Sequence, residues 1–363
     1  MLKSIYIKGF KCFADNRFDL APLTVLAGYN SSGKTSFLQI LALLHQTACE
    51  SGKLESLILN GCVVHLGRVS DILSRTHSRN KINIEIAHTK DTLWSREYVA
   101  NDLTPFNLKV YNQDKHKGKD KDITPLFKKT TYLSADRLGP REMHSLEDST
   151  QYNSVGVRGE RAISRIYSEK NSIISELILP KVSPQPFRQL EAYMQKIFPD
   201  FLLKIQQITG SNYATLEMSS DNSVGYVRPQ NIGFGLSYTL PIYVACLTAK
   251  KDDIILLENP EAHLHPSAQS KMGEFLASVA SVGVQIIVET HSDHLLNGIR
   301  KAVKSKTSAI SADNVIIHFF SKPSGDGKPQ VISPQIDHDG KISTWPEGFF
   351  DQYDKDLEQL IDW

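Results

Sequence analysis

Residues 28–35 read GYNSSGKT, a complete G-x-x-x-x-G-K-[ST] string, and everything else in the chain is interpreted from them. The string sits between an apolar segment, LTVLA, and an amphipathic one, KTSFLQILALLHQT. Gly28 and Gly33 allow the main chain to curl so that successive N–H groups converge on an anion. The helix predicted over 34–47 puts Phe37, Ile40, Leu41 and Leu44 on one face and aims its positive end at the same anion. Lys34 supplies a point charge for β- and γ-phosphate oxygens, and Thr35 a hydroxyl for a magnesium ion. Asn30, Ser31, Ser32 and Ser36 complete the set expected to hold the nucleotide. The ligands implied are ATP and Mg²⁺.

The bulk properties are those of a globular protein. At 363 residues, 40% hydrophobic and 22% charged, the chain can build one large α/β domain with insertions or two domains sharing a core. A formal net charge of +1 argues against capture of nucleic acid by the whole molecule. Cys12, Cys49, Cys62 and Cys246 are scattered and form no C-x-x-C pair, as expected of reduced thiols. The opening MLKSIYIKGFKCF alternates like a strand and lacks a secretory h-region, and no apolar run approaches a membrane span. A soluble, cytoplasmic protein is expected.

Strands are predicted over 2–13 and 17–27, with DNR as the turn, and over INIEIA (82–87). The run NQDKHKGKDKDITPLFKK (112–129) interleaves both charge signs and reads as a solvated loop, with a phosphate-contacting patch as its competitor. TTYLSADR (130–137) reads as a core strand. Residues 158–198 are helical in pattern, broken by LPKVSPQPF, and LLKIQQI with YATLEMS forms a hairpin. A helix is expected from Gly235 to Thr248, interrupted at Pro241. Strand 253–258, helix 266–281, strand 284–289 and helix 292–304 then alternate, the pattern of a parallel sheet wound with helices. The fold class is therefore α/β. A last hairpin is expected in VIIHFFSKPSGDGKPQVISPQI, before an aromatic end at WPEGFF.

Ile254–Pro266, IILLENPEAHLHP, is the acidic counterpart of the phosphate loop. Glu258 ends an apolar strand, where a buried carboxylate needs a cation or donor to compensate it, and Mg²⁺ is the natural cation. Asn259 follows where a water-activating acid is usual. An amide can orient water but cannot take its proton, so turnover should be slow rather than absent. Glu261 could restore the missing carboxylate, or could merely complement a helix dipole. His291 ends the apolar run IIVETHS, where one ring nitrogen can donate and the other accept. His263, His265, His291 and His294 have spacings that could ligate zinc, but packing roles fit them better. Asp337 and Asp339, in IDHDG, read as a turn.

These motifs have a family likeness. IKGFKCFADNRFDLAPLTVLAGYNSSGKTSFLQ resembles the amino-terminal lobe of ABC-type ATPases grouped with structural-maintenance-of-chromosomes (SMC) proteins, RecF and the OLD family. YLSADRLGPR and LENPEAHLHP resemble OLD-like patterns, and WPEGFFDQ resembles a domain of unassigned function ending some bacterial OLD-like ATPases. The resemblance implies an ABC-type P-loop head with an N-terminal antiparallel β lobe and a helical insertion. It divides the chain into an N-terminal ATPase lobe (1–135), an insertion (136–230), a C-terminal lobe (231–320) and an extension (321–363). It further implies head-to-tail dimerisation around two ATPs, with His291 at the γ-phosphate. NIGFGLSYTLPIYVA would be a degenerate signature whose Gly235 and Ser237 act on the partner's ATP. LGRVSDIL (66–73) stands where a metal-sensing glutamine is usual and contains none. Glu258, Asn259, Glu261 and His291 would carry catalysis, and Thr35 and Glu258 the metal.

No long heptad repeat is present, which excludes a chromosome-spanning SMC protein. The expectation is a slow ATPase that regulates a separate effector, a nuclease or toxin in bacterial anti-phage defence. A nucleotide-gated assembly scaffold and a DNA-binding repair ATPase using the lysines of 115–129 are the alternatives.

Overall fold

Pro22 divides a stretch that hydrophobicity alone reads as one strand. The computed structural model describes every residue except 75–79, 90–91, 101–106, 111–116, 148–153, 169–172, 220–222, 224, 306–309, 322–329 and 362–363. It places β2 (Asn16–Asp19) and β3 (Leu23–Gly28) in different sheets. Pro22 has no N–H for a ladder. The corner is closed by Thr24, whose hydroxyl accepts from Ala21 N at 3.1 Å and donates to Ala21 O at 3.3 Å.

The chain forms two compact units, Met1–Thr130 with Ser311–Trp363, and Thr131–Ile310. In the first, β1 (Ser4–Lys8), β2, β4 (Ser56–Ile58), β5 (Lys81–Thr89), β6 (Thr92–Val99) and β7 (Asn107–Val110) form an antiparallel sheet ordered β2-β1-β5-β6-β7-β4. The alternation read at 82–87 is that of β5: Ile82, Ile84 and Ile86 are fully buried, while the residues between them are not. β3 lies parallel to β14 (Val315–Phe320), in register from Leu23↔Val315 to Gly28↔Phe320, and β15 (Val331–Ile332) closes the expected C-terminal hairpin. Helix α1 (Lys34–Ser51) is buried on most sides and stops at Gly52, a left-handed C-cap. The short α2 (Val69–Ile72) and the terminal α9 (Gln352–Ile361) belong to the same unit.

α3 (Asp120–Lys128) corrects the solvated loop expected in the charge run. Asp120 and Asp122 stand in its first turn and Lys128 in its last, which suits the helix dipole. Ile123 and Phe127 are buried, and the Asp120 carboxylate accepts from Leu54 N, Trp94 Nε1 and Arg96 Nη2 at 2.9, 2.9 and 2.6 Å. Residues 112–116 of the run lie outside the described residues.

In the second unit β12 (Ile254–Glu258) and β13 (Gln285–Glu289) pair in parallel from Ile254↔Gln285 to Glu258↔Glu289, and β8 (Thr130–Leu133) flanks β12. Both paired strands are buried throughout, as parallel strands covered on two faces must be. α7 (Pro266–Ser281) begins where predicted because His265 caps it, its Nδ1 accepting from Ser267 N at 3.3 Å, with Pro266 in the first turn. α8 (Asp293–Lys304) is capped by Ser292 Oγ, which accepts from Leu295 N at 2.9 Å. α4 (Ala162–Ser168) and α5 (Pro186–Gln195) precede the hairpin of β10 (Leu202–Gln207) and β11 (Tyr213–Ser219), and β9 (Met143–Ser145) pairs with β11. α6 (Phe234–Leu247) runs through Pro241 without the interruption expected there. Pro241 is buried with its ring against the main chain at Gly159, and this apolar burial outweighs one missing helical hydrogen bond. No described helix is long and apolar enough to cross a membrane.

Candidate functional site

The first unit supplies a phosphate cradle. β3 ends at Gly28 (φ 132), Ser31 is left-handed (φ 60), and Gly33 (φ 114) is the N-cap of α1. A Cβ at Gly28 would lie 2.1 Å from Phe320 O, and one at Gly33 2.8 Å from Cys12 Sγ, so both positions require glycine. Ser32 Oγ donates to Tyr29 O at 2.6 Å. The Lys34 side chain is almost fully buried, and its Nζ donates to Gly28 O at 3.0 Å and Tyr29 O at 2.6 Å. Asn30, Ser31 and Thr35 are exposed and Ser36 is half-buried. A curled loop with an ammonium at its base, opening a helix of 18 residues, fits a triphosphate.

The second unit supplies the carboxylates. Glu258 closes β12 with both oxygens engaged: Tyr132 Oη donates to Oε1 at 2.5 Å and Ala135 N to Oε2 at 2.9 Å. Burial first, and then the neighbouring carboxylate, pushes the Tyr132 phenol far above its ordinary pKa, so it stays a donor. A carboxylate has about four acceptor sites, so these two bonds leave room for a cation. Asn259 is left-handed (φ 42), a conformation asparagine tolerates better than most residues. Its N donates to Glu289 O at 2.9 Å, and its buried Oδ1 has no hydrogen-bond partner among the described residues. Glu261 is 9% exposed; Oε1 accepts from His291 N at 2.8 Å, while the buried Oε2 has no hydrogen-bond partner among the described residues. Burial raises its carboxyl pKa, against hydrogen bonds from the His291 main chain and Thr290 and the charge of Arg137.

Sequence reasoning gave Arg137 no role, yet it holds this turn. It is 1% exposed and donates to Ser134 O at 3.0 Å, Glu258 O at 2.8 Å and Asn259 O at 2.7 Å. Its guanidinium lies 5.4 Å from the Tyr238 ring centroid on α6. Burial lowers its pKa to about 10, against the opposing pull of Glu261, Tyr238 and Glu258, so it remains a cation at neutral pH. The sequence signal was its place in YLSADRLGPR, which resembles OLD-like patterns without assigning the arginine a task.

Glu258, Asn259, Glu261 and the His291 main chain are thus brought together, with the His291 side chain exposed. Gly235 abuts the same turn: a Cβ there would lie 2.7 Å from His263 O. Ser237 is 9% exposed and its buried hydroxyl has no hydrogen-bond partner among the described residues. His263 packs its ring on Tyr238 (centroids 4.6 Å apart) and His265 caps α7, both packing roles. Among the described residues no cluster of three or more His, Cys, Asp or Glu side chains could hold a metal. Asp337 forms the expected turn, its Oδ1 accepting from Asp339 N and Lys341 N at 2.9 and 2.8 Å.

Known proteins share parts of this chain. A family model described as "AAA domain, putative AbiEii toxin, Type IV TA system" matches residues 23–297. A second, described as "Protein of unknown function (DUF3696)", matches residues 310–360. The chain is 22% identical over 352 residues to the Old nuclease of Escherichia phage P2, an alignment covering 82% of this chain and 57% of that protein. It therefore spans little more than half the length of that relative. Two solved SMC heads resemble it in structure. One, bound to the C-winged helix domain of ScpA, has a TM-score of 0.56 at 13% identity and covers 92% of this chain and 97% of its own. The other, with an extended coiled coil, is bound to the C-terminal domain of ScpA derived from Pyrococcus furiosus; its TM-score is 0.57 at 12% identity, with 99% of each chain covered. This likeness shows the fold, a mixed α/β architecture of the SMC ABC-type head, and bears out the resemblance read from the sequence.

Proposed function

Because the chain belongs to the AAA-domain family described as a putative AbiEii toxin of a type IV toxin–antitoxin system, we propose that it binds ATP with Mg²⁺, hydrolyses it slowly and uses that cycle to control a separate effector. The observation that carries this is the cradle at residues 28–35, where two obligatory glycines and a buried lysine precede a helix N-terminus. Gly28, Gly33 and the main chain between them hold the phosphates, and Lys34 exchanges its two carbonyl partners for phosphate oxygens. Thr35, from its exposed position, and Glu258, with acceptor sites to spare, are the residues that would hold Mg²⁺. When bound, the ion supplies charge neutralisation at the phosphates.

Glu261 is assigned as proton acceptor, because it is buried, raised in pKa and has an oxygen without a hydrogen-bond partner among the described residues. Asn259 orients the water and Arg137 fixes the turn that carries both. Gly235, against His263, and Ser237 at the start of α6 are assigned to the ATP of a second copy of the chain, which would cover the nucleotide. A nuclease or toxin effector in anti-phage defence follows by analogy with the Old nuclease and the toxin description of the family. The amide at 259 favours one rival, an assembly scaffold in which ATP persists.

Phosphate release from the purified protein separates these readings. Turnover in wild type, with affinity for MgATP lowered about 10–100-fold by Lys34→Ala, supports the ATPase. A stable ATP-bound dimer that releases no phosphate supports the scaffold, and no affinity for MgATP removes both.

A further inference from the structure

We infer that the C-terminal turn Pro346–Phe350 is a positioning element for the phosphate loop, acting through Tyr29; this rests on the nucleotide-binding reading of residues 28–35. Tyr29 is the second residue of that loop. Its carbonyl accepts from Lys34 Nζ and from Ser32 Oγ, both at 2.6 Å, and its N donates to Phe320 O at 3.1 Å. The Tyr29 carbonyl, with that of Gly28 at 3.0 Å, therefore sets where the lysine ammonium rests.

The ring of the same residue is seated against the C-terminal turn. Gly348 (φ 82) has no side chain to intervene: a Cβ there would lie 1.7 Å from Tyr29 Oη and 2.3 Å from Cζ. The turn is itself well fixed. Phe349 N donates to Pro346 O at 2.9 Å, and Gly348 N donates to Asp351 Oδ2 at 2.8 Å. Phe349 is fully buried with its ring 5.1 Å from that of Phe319, which lies 6.2 Å from Tyr29. The chain after residue 310 thus frames the start of the phosphate loop twice, with the β14 main chain against Gly28 and the turn against Tyr29.

Holding Tyr29 lowers the ordering cost of binding, since the loop meets its ligand already shaped. The coupling is reciprocal, so nucleotide that draws Lys34 away from the Tyr29 carbonyl also acts on the turn. A segment whose family is described only as a protein of unknown function is thereby assigned a role in setting ATP affinity.

A double-mutant cycle tests this, with MgATP titrated into wild type, Gly348→Ala, Tyr29→Ala and the double variant, and melting temperatures confirming that each is folded. Gly348→Ala must displace the tyrosine ring and should weaken MgATP affinity about tenfold. In the Tyr29→Ala background, where no ring needs displacing, the same change should cost less than about twofold. Hydrogen exchange on the wild-type protein gives an independent reading should the glycine variant fail to fold: amides of 347–350 should exchange more slowly with MgATP bound. An equal loss in both backgrounds, or exchange at 347–350 indifferent to MgATP, overturns the proposal while leaving the ATPase assignment intact. Wild-type protein that binds no MgATP overturns the assignment itself, and the proposal with it.

Discussion

Replacing Arg137 with methionine removes a charge and three donors while keeping much of the side chain's length and apolar bulk. The guanidinium is 1% exposed and satisfies Ser134 O, Glu258 O and Asn259 O at 3.0, 2.8 and 2.7 Å. Losing a donor costs a buried carbonyl about 1–3 kcal/mol, less at Asn259 O, which keeps its bond from Ala262 N at 3.2 Å, and escape from the guanidinium's own desolvation offsets part of the sum. Breaking a buried charged cluster from one side costs about 3–5 kcal/mol net, which is the figure adopted here. At roughly 2–4 °C per kcal/mol for a unit of this size, melting should fall by about 6–20 °C. Asn259, left-handed in backbone, would lose one of its main-chain bonds, and Glu261 a neighbouring positive charge. Misplacement of such groups by an ångström costs about 10²-fold in rate, so turnover should fall by that order. Arg137→Lys keeps the charge without the fork and should lie between the two. Differential scanning calorimetry and phosphate release measure both effects. A melting shift below about 2 °C with turnover within about twofold would refute the idea that this arginine pins the turn.

Glu261→Gln should lower turnover by about 10²–10⁴-fold, and a loss below about threefold removes Glu261 as proton acceptor. Burial raises its pKa in the folded protein, so the stability it contributes is complete below the ordinary carboxylate pKa and is lost as pH rises through the raised value. Hydrolysis should climb across the same interval; melting temperature against pH should be flatter in the glutamine variant, and matching curves would contradict the shift. Gly28→Ala forces a Cβ to within 2.1 Å of a main-chain oxygen at φ 132 and should destabilise the first unit by about 2–4 kcal/mol. An unchanged melting temperature in that variant would mean that β3 and β14 do not meet as described.

Local chemistry was legible in the sequence and long-range chemistry was not. The phosphate loop could be read because its cradle is built from consecutive residues whose types are dictated by backbone curvature. α7 could be read to the residue, since the cap His265 and the proline after it are neighbours in sequence. The charge run hid α3 because Pro125 and dense lysines argue against a helix, while the buried Ile123 and Phe127 that hold it are too few to set a period. Pro22 was overlooked for the opposite reason, as the apolar residues on either side outweighed it. Tyr132 and Arg137 meet Glu258 across more than 120 positions of chain, and no spacing rule reaches that far. The residues of the acidic turn were named from sequence, but the group that holds the turn could be found only from its contacts.

The parallel pairing of β3 with β14 also places the nucleotide loop on a clock set by translation. About 290 residues separate Gly28 from its partner Phe320, which at 5–20 residues per second is roughly 15–60 s of synthesis. A nascent chain would carry the loop in unfinished form for that whole interval, beyond the reach of cellular ATP. Competence to take nucleotide would come only after the intervening unit had left the ribosome, so an interrupted polypeptide stays silent.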